Sequence, residues 1–436
     1  MPVHAQAAIQ VTDDRTAFDF PTTITFSAEI KSSAPIKSVV LEYGGDELSC
    51  GSVTAEAYPD FTPSADVKIS WTWDLRQTGY PLPPGAKLWW DWRVSDASGA
   101  QFTSPRQTSV WLDSQYPWQT LSGGNIDLHW YQGNAAFGQA LHDAAVQALA
   151  RLTQEVGVGT DKPVDLYIYA STQDVQAAVL FQPSWMGGKA FPEWDIVIIG
   201  IPQSELDWGK ATEAHELTHV LVDSETFSCL SYIPTWLDEG LAMVGQGGPD
   251  TAMQATFDDA LAKNSLASIR SLTGSFPEPA DQADLAYGES YSIVNFLIQE
   301  YGRDKINALL MDLKNGDTTD QALQKIYGFD VDGLEDAWRA AIGAAPRTGA
   351  GQTAALPTAT IIPTIAALSG VPVAAATALP VEMTPTPVPA QPTPAVTASQ
   401  TTLGLIALAA LGCLCVIVIA VIAIVLVTNR RNKRTS

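Results

Sequence analysis

The chain has 436 residues, 46% of them hydrophobic, so its length and composition allow two or three domains with cores of their own. Its formal net charge is −23, from 47 acidic and 24 basic residues. A surface this acidic would repel phosphates, which argues against nucleic acid as a partner and agrees with a secreted ectodomain.

The first residues carry an ambiguous targeting signal. Ala5-Gln6-Ala7 resembles the A-x-A end of a secretory signal peptide, but the apolar segment that should precede it is missing. Either the start of the chain is truncated or the resemblance is accidental. We expect a truncated start, because the C-terminal segments described below place most of the chain outside the cell.

Residues 8–115 show the pattern of an all-β domain. Apolar and polar residues alternate in Ile24–Ile30, Val67–Trp73 and Leu88–Val94, which indicates strands with one buried face. Several short strands in this length predict an immunoglobulin-like sandwich. The tryptophans of these strands could form a carbohydrate-binding platform. Core packing is favoured, because most of them lie in register with the apolar face.

Residues 116–345 predict an α+β domain with a helical C-terminal lobe. Ala135–Val156 has helical periodicity, and Val164–Tyr169 and Trp194–Ile201 have the composition of strands. Further helices are predicted at Thr251–Lys263, Ala280–Tyr301, Arg303–Leu313, Thr319–Tyr327 and Val331–Ile342.

A His-Glu-x-x-His sequence, His215 to His219, lies between Lys210 and Val222 in a run without Gly or Pro. On a helix, residues i and i+4 share one face, so both imidazoles can bind one Zn²⁺ ion. Glu216 lies beside them and can reach a water molecule on the metal. Two histidines that merely pack in a core are a weaker explanation, because the chain has only 5 His.

A third candidate ligand, Glu239, follows His219 by 20 positions in a further predicted helix. A catalytic zinc has three protein ligands and one position open for water. Trp236, Glu239, Gly240 and Ala242 follow the pattern W-x-x-E-G-x-A. Together the two motifs resemble the gluzincin branch of the zinc peptidases, whose domains are called peptidase MA-like.

The resemblance implies a zinc-dependent metallopeptidase that hydrolyses peptide or protein substrates. His215, His219 and Glu239 would bind Zn²⁺, which would lower the pKa of its water. Glu216 would act as general base and pass the proton to the leaving amine. The resemblance also implies a substrate-pairing sheet edge, which we place at the strand Trp194–Ile201.

A tyrosine of the family stabilises the oxyanion, and Tyr287 and Tyr291 are both candidates for this role. We prefer Tyr287, because it precedes an apolar run as the family's tyrosine does.

Two departures from the family patterns are visible. Met243 occupies the position where thermolysin-like enzymes carry an Asp that orients the first His. The segment Gly187–Glu193 lacks the G-x-M-E-N of aminopeptidases, so an aminopeptidase is not favoured.

Two segments of different composition follow the α+β domain. Residues 346–401 are rich in Pro, Thr and Ala and contain no aromatic residue, which predicts a disordered stalk. Residues 402–428 predict a transmembrane helix, because Leu403–Val427 is uncharged and a bilayer needs about 20 such residues. The basic tail, 429–436, predicts a cytoplasmic end. The sequence therefore predicts a single-pass protein of the cell membrane with an extracellular ectodomain.

The cysteines leave one pairing open. Cys413 and Cys415 lie within the predicted span, so Cys50 and Cys229 remain, one in each predicted domain. They could form a disulfide or remain free thiols.

A different class of function also stays open, namely a non-catalytic, zinc-containing surface binding or adhesion protein. A structural zinc site would have a fourth protein ligand. Near the motifs only Cys229 offers a thiol, and no His follows His219, which favours the enzyme.

Overall fold

The computed structural model describes residues 9–51, 54–79, 81–181, 187–276 and 280–347. These residues all belong to the first of two compact units, residues 1–354. Beyond residue 347, the predicted stalk, membrane span and basic tail lie outside the described residues. Within the described ranges, no helix combines the length and the apolar composition that crossing a bilayer requires.

The N-terminal part consists of two antiparallel sheets. One has the strand order β1-β2-β5 and the other β4-β3-β6-β7, with β8 also paired to β6. The strands are β1 (Ile9–Asp19), β2 (Thr23–Ser32), β3 (Ile36–Gly45), β4 (Ala55–Ala57), β5 (Asp66–Asp74), β6 (Lys87–Asp96), β7 (Gln101–Thr103) and β8 (Gln107–Val110). An N-terminal β domain is thereby confirmed, and its immunoglobulin-like class stays a prediction.

The alternating residues pack between the two sheets. The Phe26 ring on β2 lies 5.6 Å from the rings of Tyr43 and Trp90 on the other sheet. The indole N–H groups of Trp90 and Trp92 both donate to Asp14 Oδ1, at 2.7 and 2.9 Å, which satisfies these buried donors. These two tryptophans are therefore core residues, as their register with the apolar face indicated.

A mixed five-stranded sheet follows, with the order β12-β13-β11-β10-β9. Its strands are β9 (Gln119–Gly123), β10 (Ile126–Trp130), β11 (Val164–Tyr169), β12 (Gly188–Phe191) and β13 (Ile196–Gly200). Strands β10, β11 and β13 are parallel, whereas β9 and β12 run antiparallel at the two edges.

The predicted sheet edge was wrong. The strand predicted at Trp194–Ile201 is β13, which lies between β11 and β12 and is buried along its whole length. The edge is β12, which a turn at Pro192–Asp195 connects to β13, with Asp195 at φ 55°. Strand β13 pairs in parallel with β11 and has both of its faces buried, which explains why it reads as a continuous apolar run.

The helical C-terminal lobe is confirmed. The helices are α1 (Ala135–Glu155), α2 (Thr172–Ala178), α3 (Leu206–Thr226), α4 (Thr235–Gln246), α5 (Thr251–Lys263), α6 (Ala280–Tyr301), α7 (Arg303–Lys314), α8 (Thr319–Tyr327) and α9 (Val331–Ala341). Helices α1 and α5 to α9 lie close to their predicted bounds, whereas α2 was not predicted.

The two faces of the mixed sheet belong to different cores. Val197 and Ile199 on β13 join the core formed with α1, α3, α4 and α6. Ile196 and Ile198 point the other way, into a cluster with the side chains of β11 and α2. Phe20 from the β1–β2 turn packs against this second cluster, so the N-terminal β domain covers part of that face.

Cys50 and Cys229 form a disulfide, which settles the pairing that the sequence left open. It joins the segment after β3 to the segment between α3 and α4, across 179 positions of the chain. Loop closure over this length stabilises the folded state by roughly 5 kcal/mol if the effect comes from the entropy of the unfolded chain. The β domain and the α+β domain are thus covalently joined next to α3.

Candidate metal centre

Helix α3 carries the His-Glu-x-x-His sequence in its central turns. Leu217 and Thr218, between the two histidines, are fully buried on the opposite face. Thr218 donates its hydroxyl to the carbonyl of Ala214 at 2.7 Å, so this buried polar group is satisfied inside the helix. The His215 and His219 side chains are left on one face, with ring centroids 4.9 Å apart.

Helix α4 brings Glu239 to the same place through two close helix contacts. A Cβ on Gly245 would collide with the Thr218 hydroxyl of α3. A Cβ on Gly240 would collide with the Ser290 carbonyl and with Val294 of α6. Glycine at these two positions lets α4 approach both neighbours closely, which accounts physically for the Gly that follows Glu239.

Three candidate ligand atoms converge between α3 and α4. Glu239 Oε2 lies 3.3 Å from His215 Nε2 and 3.4 Å from His219 Nε2. Among the described residues, these three form a group whose donor atoms lie within 4.8 Å of one another, as a shared metal ion requires. Glu239 Oε2 is buried and has no hydrogen-bond partner within the described structure. Two imidazoles and a carboxylate are a known ligand set of catalytic zinc, so the residues fit this ion.

The charges at the site are strongly coupled. Burial disfavours the protonated His219 ring, but the carboxylates of Asp238 and Glu239 outweigh it, so the pKa of His219 lies well above its ordinary value. Burial also disfavours ionised Glu239, but the two imidazoles outweigh this effect and lower its pKa to about 2. Glu239 is therefore ionised throughout the physiological pH range, which is the form that binds a cation.

Asp238 is a site residue that sequence reasoning missed. Its Oδ1 lies 2.9 Å from His219 Nδ1, the ring nitrogen that faces away from Glu239. A carboxylate in this place fixes the orientation of the ring and leaves Nε2 free to bind metal. The only signal in the sequence is its position next to Glu239. The sequence position where thermolysin-like enzymes carry the acid that orients the first His is occupied by Met243, which is buried.

Glu216 is held by the edge strand. Its Oε2 accepts the backbone N–H of Ala190 on β12 at 3.0 Å. Ala190 is packed against the core that includes α3. The edge of the sheet and the candidate general base are therefore in direct contact.

The structure separates the two candidate tyrosines. The Tyr287 ring lies 5.9 Å from the His215 ring and 5.2 Å from Phe276. Burial raises the pKa of Tyr287, and the negative charge of Glu239 raises it further. Tyr291, one turn later, has its hydroxyl beside Gly248, and its charged neighbours are Glu155 and Arg151. Of the two, only Tyr287 lies beside the convergent histidines.

Comparison with known proteins supports a gluzincin-like domain in this part of the chain. Residues 144–344 match the family model of the Peptidase MA superfamily. This range contains His215, His219, Glu239, Glu216 and Tyr287. Among curated protein sequences, none matches the chain significantly.

Solved structures give partial alignments. An M1 zinc metallopeptidase from Deinococcus radiodurans aligns at 10% identity over 76% of this chain and 92% of its own, with a TM-score of 0.35. OgpA from Akkermansia muciniphila aligns at 15% identity over 25% of this chain and 29% of its own, with a TM-score of 0.19. Spo0M, a sporulation control protein from Bacillus subtilis, aligns at 11% identity over 31% and 54%, with a TM-score of 0.17. Alignments at this level assign no activity to the chain.

Removing the Asp238 carboxylate should weaken metal binding. We expect Asp238→Ala to raise the dissociation constant for Zn²⁺ about 10- to 100-fold, because His219 loses the group that orients its ring. Asp238→Asn should have a dissociation constant between those of Asp238→Ala and the unaltered chain, since the amide oxygen can still accept a hydrogen bond from His219 Nδ1–H. Competition with a fluorescent chelator measures the constants, and Asp304→Ala, at a 97% exposed side chain, serves as control. Equal affinity of Asp238→Ala and the unaltered chain would exclude this role.

Proposed function

We propose that the chain is a zinc-dependent metallopeptidase that hydrolyses peptide bonds in peptide or protein substrates. The proposal rests on the convergence of His215 and His219 of α3 with Glu239 of α4. The Glu216 carboxylate lies on α3, beside the two histidines. These three residues would hold Zn²⁺. A bound zinc ion supplies Lewis-acid chemistry and makes water a nucleophile near neutral pH.

The contacts of Glu216 suit a general base. One carboxylate oxygen accepts the Ala190 N–H, which fixes the side chain. The other oxygen remains to accept a proton from the attacking water and return it to the leaving amine. A general base must be held within hydrogen-bond reach of the proton it takes, and the contact with β12 provides this restraint.

Tyr287 suits a hydrogen-bond donor to the developing oxyanion. A tyrosine hydroxyl is protonated at neutral pH, so it can donate a hydrogen bond, and burial raises the pKa of Tyr287 further. A preorganised donor in a partly buried site stabilises charge that appears only in the transition state. The ring contacts with His215 and Phe276 restrict where the hydroxyl can point.

The edge strand β12 suits recognition of an extended peptide. A strand at a sheet edge offers backbone groups to which a further strand can pair. Ala190 places this edge next to Glu216. A peptide paired there would have its backbone next to the candidate general base.

Replacing Glu216 separates catalysis from metal binding. Glu216→Gln keeps the size of the side chain and the acceptor for Ala190 N–H but cannot take a proton. We expect kcat for peptide hydrolysis to fall by about 10²–10⁴, with zinc content and melting temperature near those of the unaltered chain. Tyr287→Phe should cost on the order of 10² in kcat, and Tyr291→Phe, its matched control, should cost little.

Two outcomes would contradict this assignment. Full activity of Glu216→Gln would remove Glu216 as the base. An unaltered chain that binds zinc but cleaves no peptide, whatever the peptide library, would favour the non-catalytic surface binding or adhesion protein.

We propose further that the peptidase is anchored at the cell surface. The support is the uncharged segment Leu403–Val427, followed by the basic residues Arg430, Arg431, Lys433 and Arg434. Protease added outside intact cells should then release the folded ectodomain by cutting within 346–401. An ectodomain that stays protected would show the opposite orientation or an intracellular location.

A further inference from the structure

The segment that follows β3 reaches out of the N-terminal β domain and contacts the α+β domain. We call residues 46–51 the tether loop. Leu48 N–H donates to the carbonyl of Glu193 at 2.6 Å, and Cys50 forms the disulfide with Cys229. Leu48 and Asp238 also line one cleft of about 410 Å³, so the loop lies close to the candidate metal centre.

The two segments that the tether loop holds are the ones that flank the centre. Glu193 lies two residues after β12, the strand whose Ala190 N–H holds Glu216. Cys229 lies between α3 and α4, the two helices that carry the three ligands. The loop is therefore bound on one side to the turn after the edge strand and on the other to the connection between the two helices that carry the candidate ligands.

The turn at Pro192–Asp195 is fixed from both sides. Trp194 packs against Gly45 at the end of β3 so closely that a Cβ on Gly45 would collide with the indole ring. From the other side, the Ser224 hydroxyl of α3 lies 3.2 Å from Asp195 Oδ1 and 3.3 Å from the Pro192 carbonyl. The turn after the edge strand thus contacts both the β domain and α3, and the disulfide links the β domain to the segment that follows α3.

We propose that the tether loop positions the catalytic centre, so that its geometry depends on the Cys50–Cys229 disulfide. With the disulfide intact, the loop fixes β12 against α3 and α3 against α4. Without it, the α3–α4 connection keeps the hydrogen bond of the Ser231 hydroxyl to the Leu313 carbonyl and the packing of Ile233 against the core, but it loses its link to the β domain. The position of Glu239 relative to the two histidines is then less well defined. The β domain is then a working part of the peptidase, and Cys50 and Cys229 are positioning residues.

Reduction of the disulfide tests this dependence on the full-length chain. Both cysteines are exposed, so a phosphine can reach the bond. The reaction adds two electrons and two protons to the sulfur pair, yields two thiols, and converts the phosphine to its oxide with oxygen from water. Phosphine is preferred to a dithiol, because dithiols themselves bind zinc.

We expect reduction to weaken Zn²⁺ binding by about tenfold or more and to lower kcat by about 10- to 100-fold, with native circular dichroism. Reoxidation with oxidised glutathione should restore both. The double variant Cys50→Ser/Cys229→Ser should show the reduced values throughout and should not respond to phosphine. A merely stabilising crosslink would change the melting temperature and leave both quantities unchanged in the folded protein.

A matched pair of variants tests the proposal without touching the cysteines. Gly45→Ala forces Trp194 and the turn after β12 to move, whereas Gly274, which lies outside the tether loop, has open space beside its Cα, so Gly274→Ala should be neutral. We expect Gly45→Ala alone to weaken Zn²⁺ binding and lower kcat. If reduction unfolds the chain, the Zn²⁺ affinity and kcat of these two glycine variants still test whether the β domain positions the centre.

The kcat measurement rests on the proposed peptidase function, but the measurement of Zn²⁺ affinity does not. The two measurements together therefore distinguish a failure of the positioning role from a failure of the peptidase assignment. Should the oxidised chain bind zinc but cleave no peptide, the peptidase assignment fails, and Zn²⁺ affinity still reports on positioning. A reduced, folded chain and a Gly45→Ala variant that both bind Zn²⁺ as tightly as the oxidised, unaltered protein would overturn the proposal.

Discussion

The candidate centre depends on how closely α4 packs between α3 and α6. Glu239 reaches the two histidines because Gly245 lies directly on Thr218 and Gly240 lies directly on Ser290. A methyl group at either position would push the helices apart. In a close-packed interior such a change shifts whole elements, because no free volume absorbs it. The two glycines on one helix thus determine how closely the three candidate ligand atoms can approach one another.

Close packing also determines the electrostatics. The side chains of His219, Asp238 and Glu239 are only 14%, 24% and 18% exposed, so the solvent screens their charges weakly and each charge acts strongly on the others. Asp238 and Glu239 contact opposite nitrogens of the His219 ring, and the shifts of the pKa values follow from these contacts. A divalent cation placed among these groups would find one ionised carboxylate already facing two ring nitrogens.

The sequence predicts best those features that depend on short separations along the chain. The sequence alone identifies His215 and His219 from their spacing on one helix, and Glu239 from the motif around it. Asp238 could not be assigned, because the direction of its side chain depends on how α4 docks against α3. The edge strand β12 was missed because four residues are too few to show alternation. The disulfide could not be chosen over free thiols, since it joins residues 179 positions apart.

The central claim is that His215, His219 and Glu239 share one zinc ion. Elemental analysis of the purified chain, together with X-ray absorption at the zinc edge, tests it most directly. We expect one zinc per chain, bound through imidazole nitrogen at about 2.0–2.1 Å and through oxygen, with no sulfur in its coordination sphere. A chain that binds no zinc, or a spectrum that shows sulfur ligands, would contradict it.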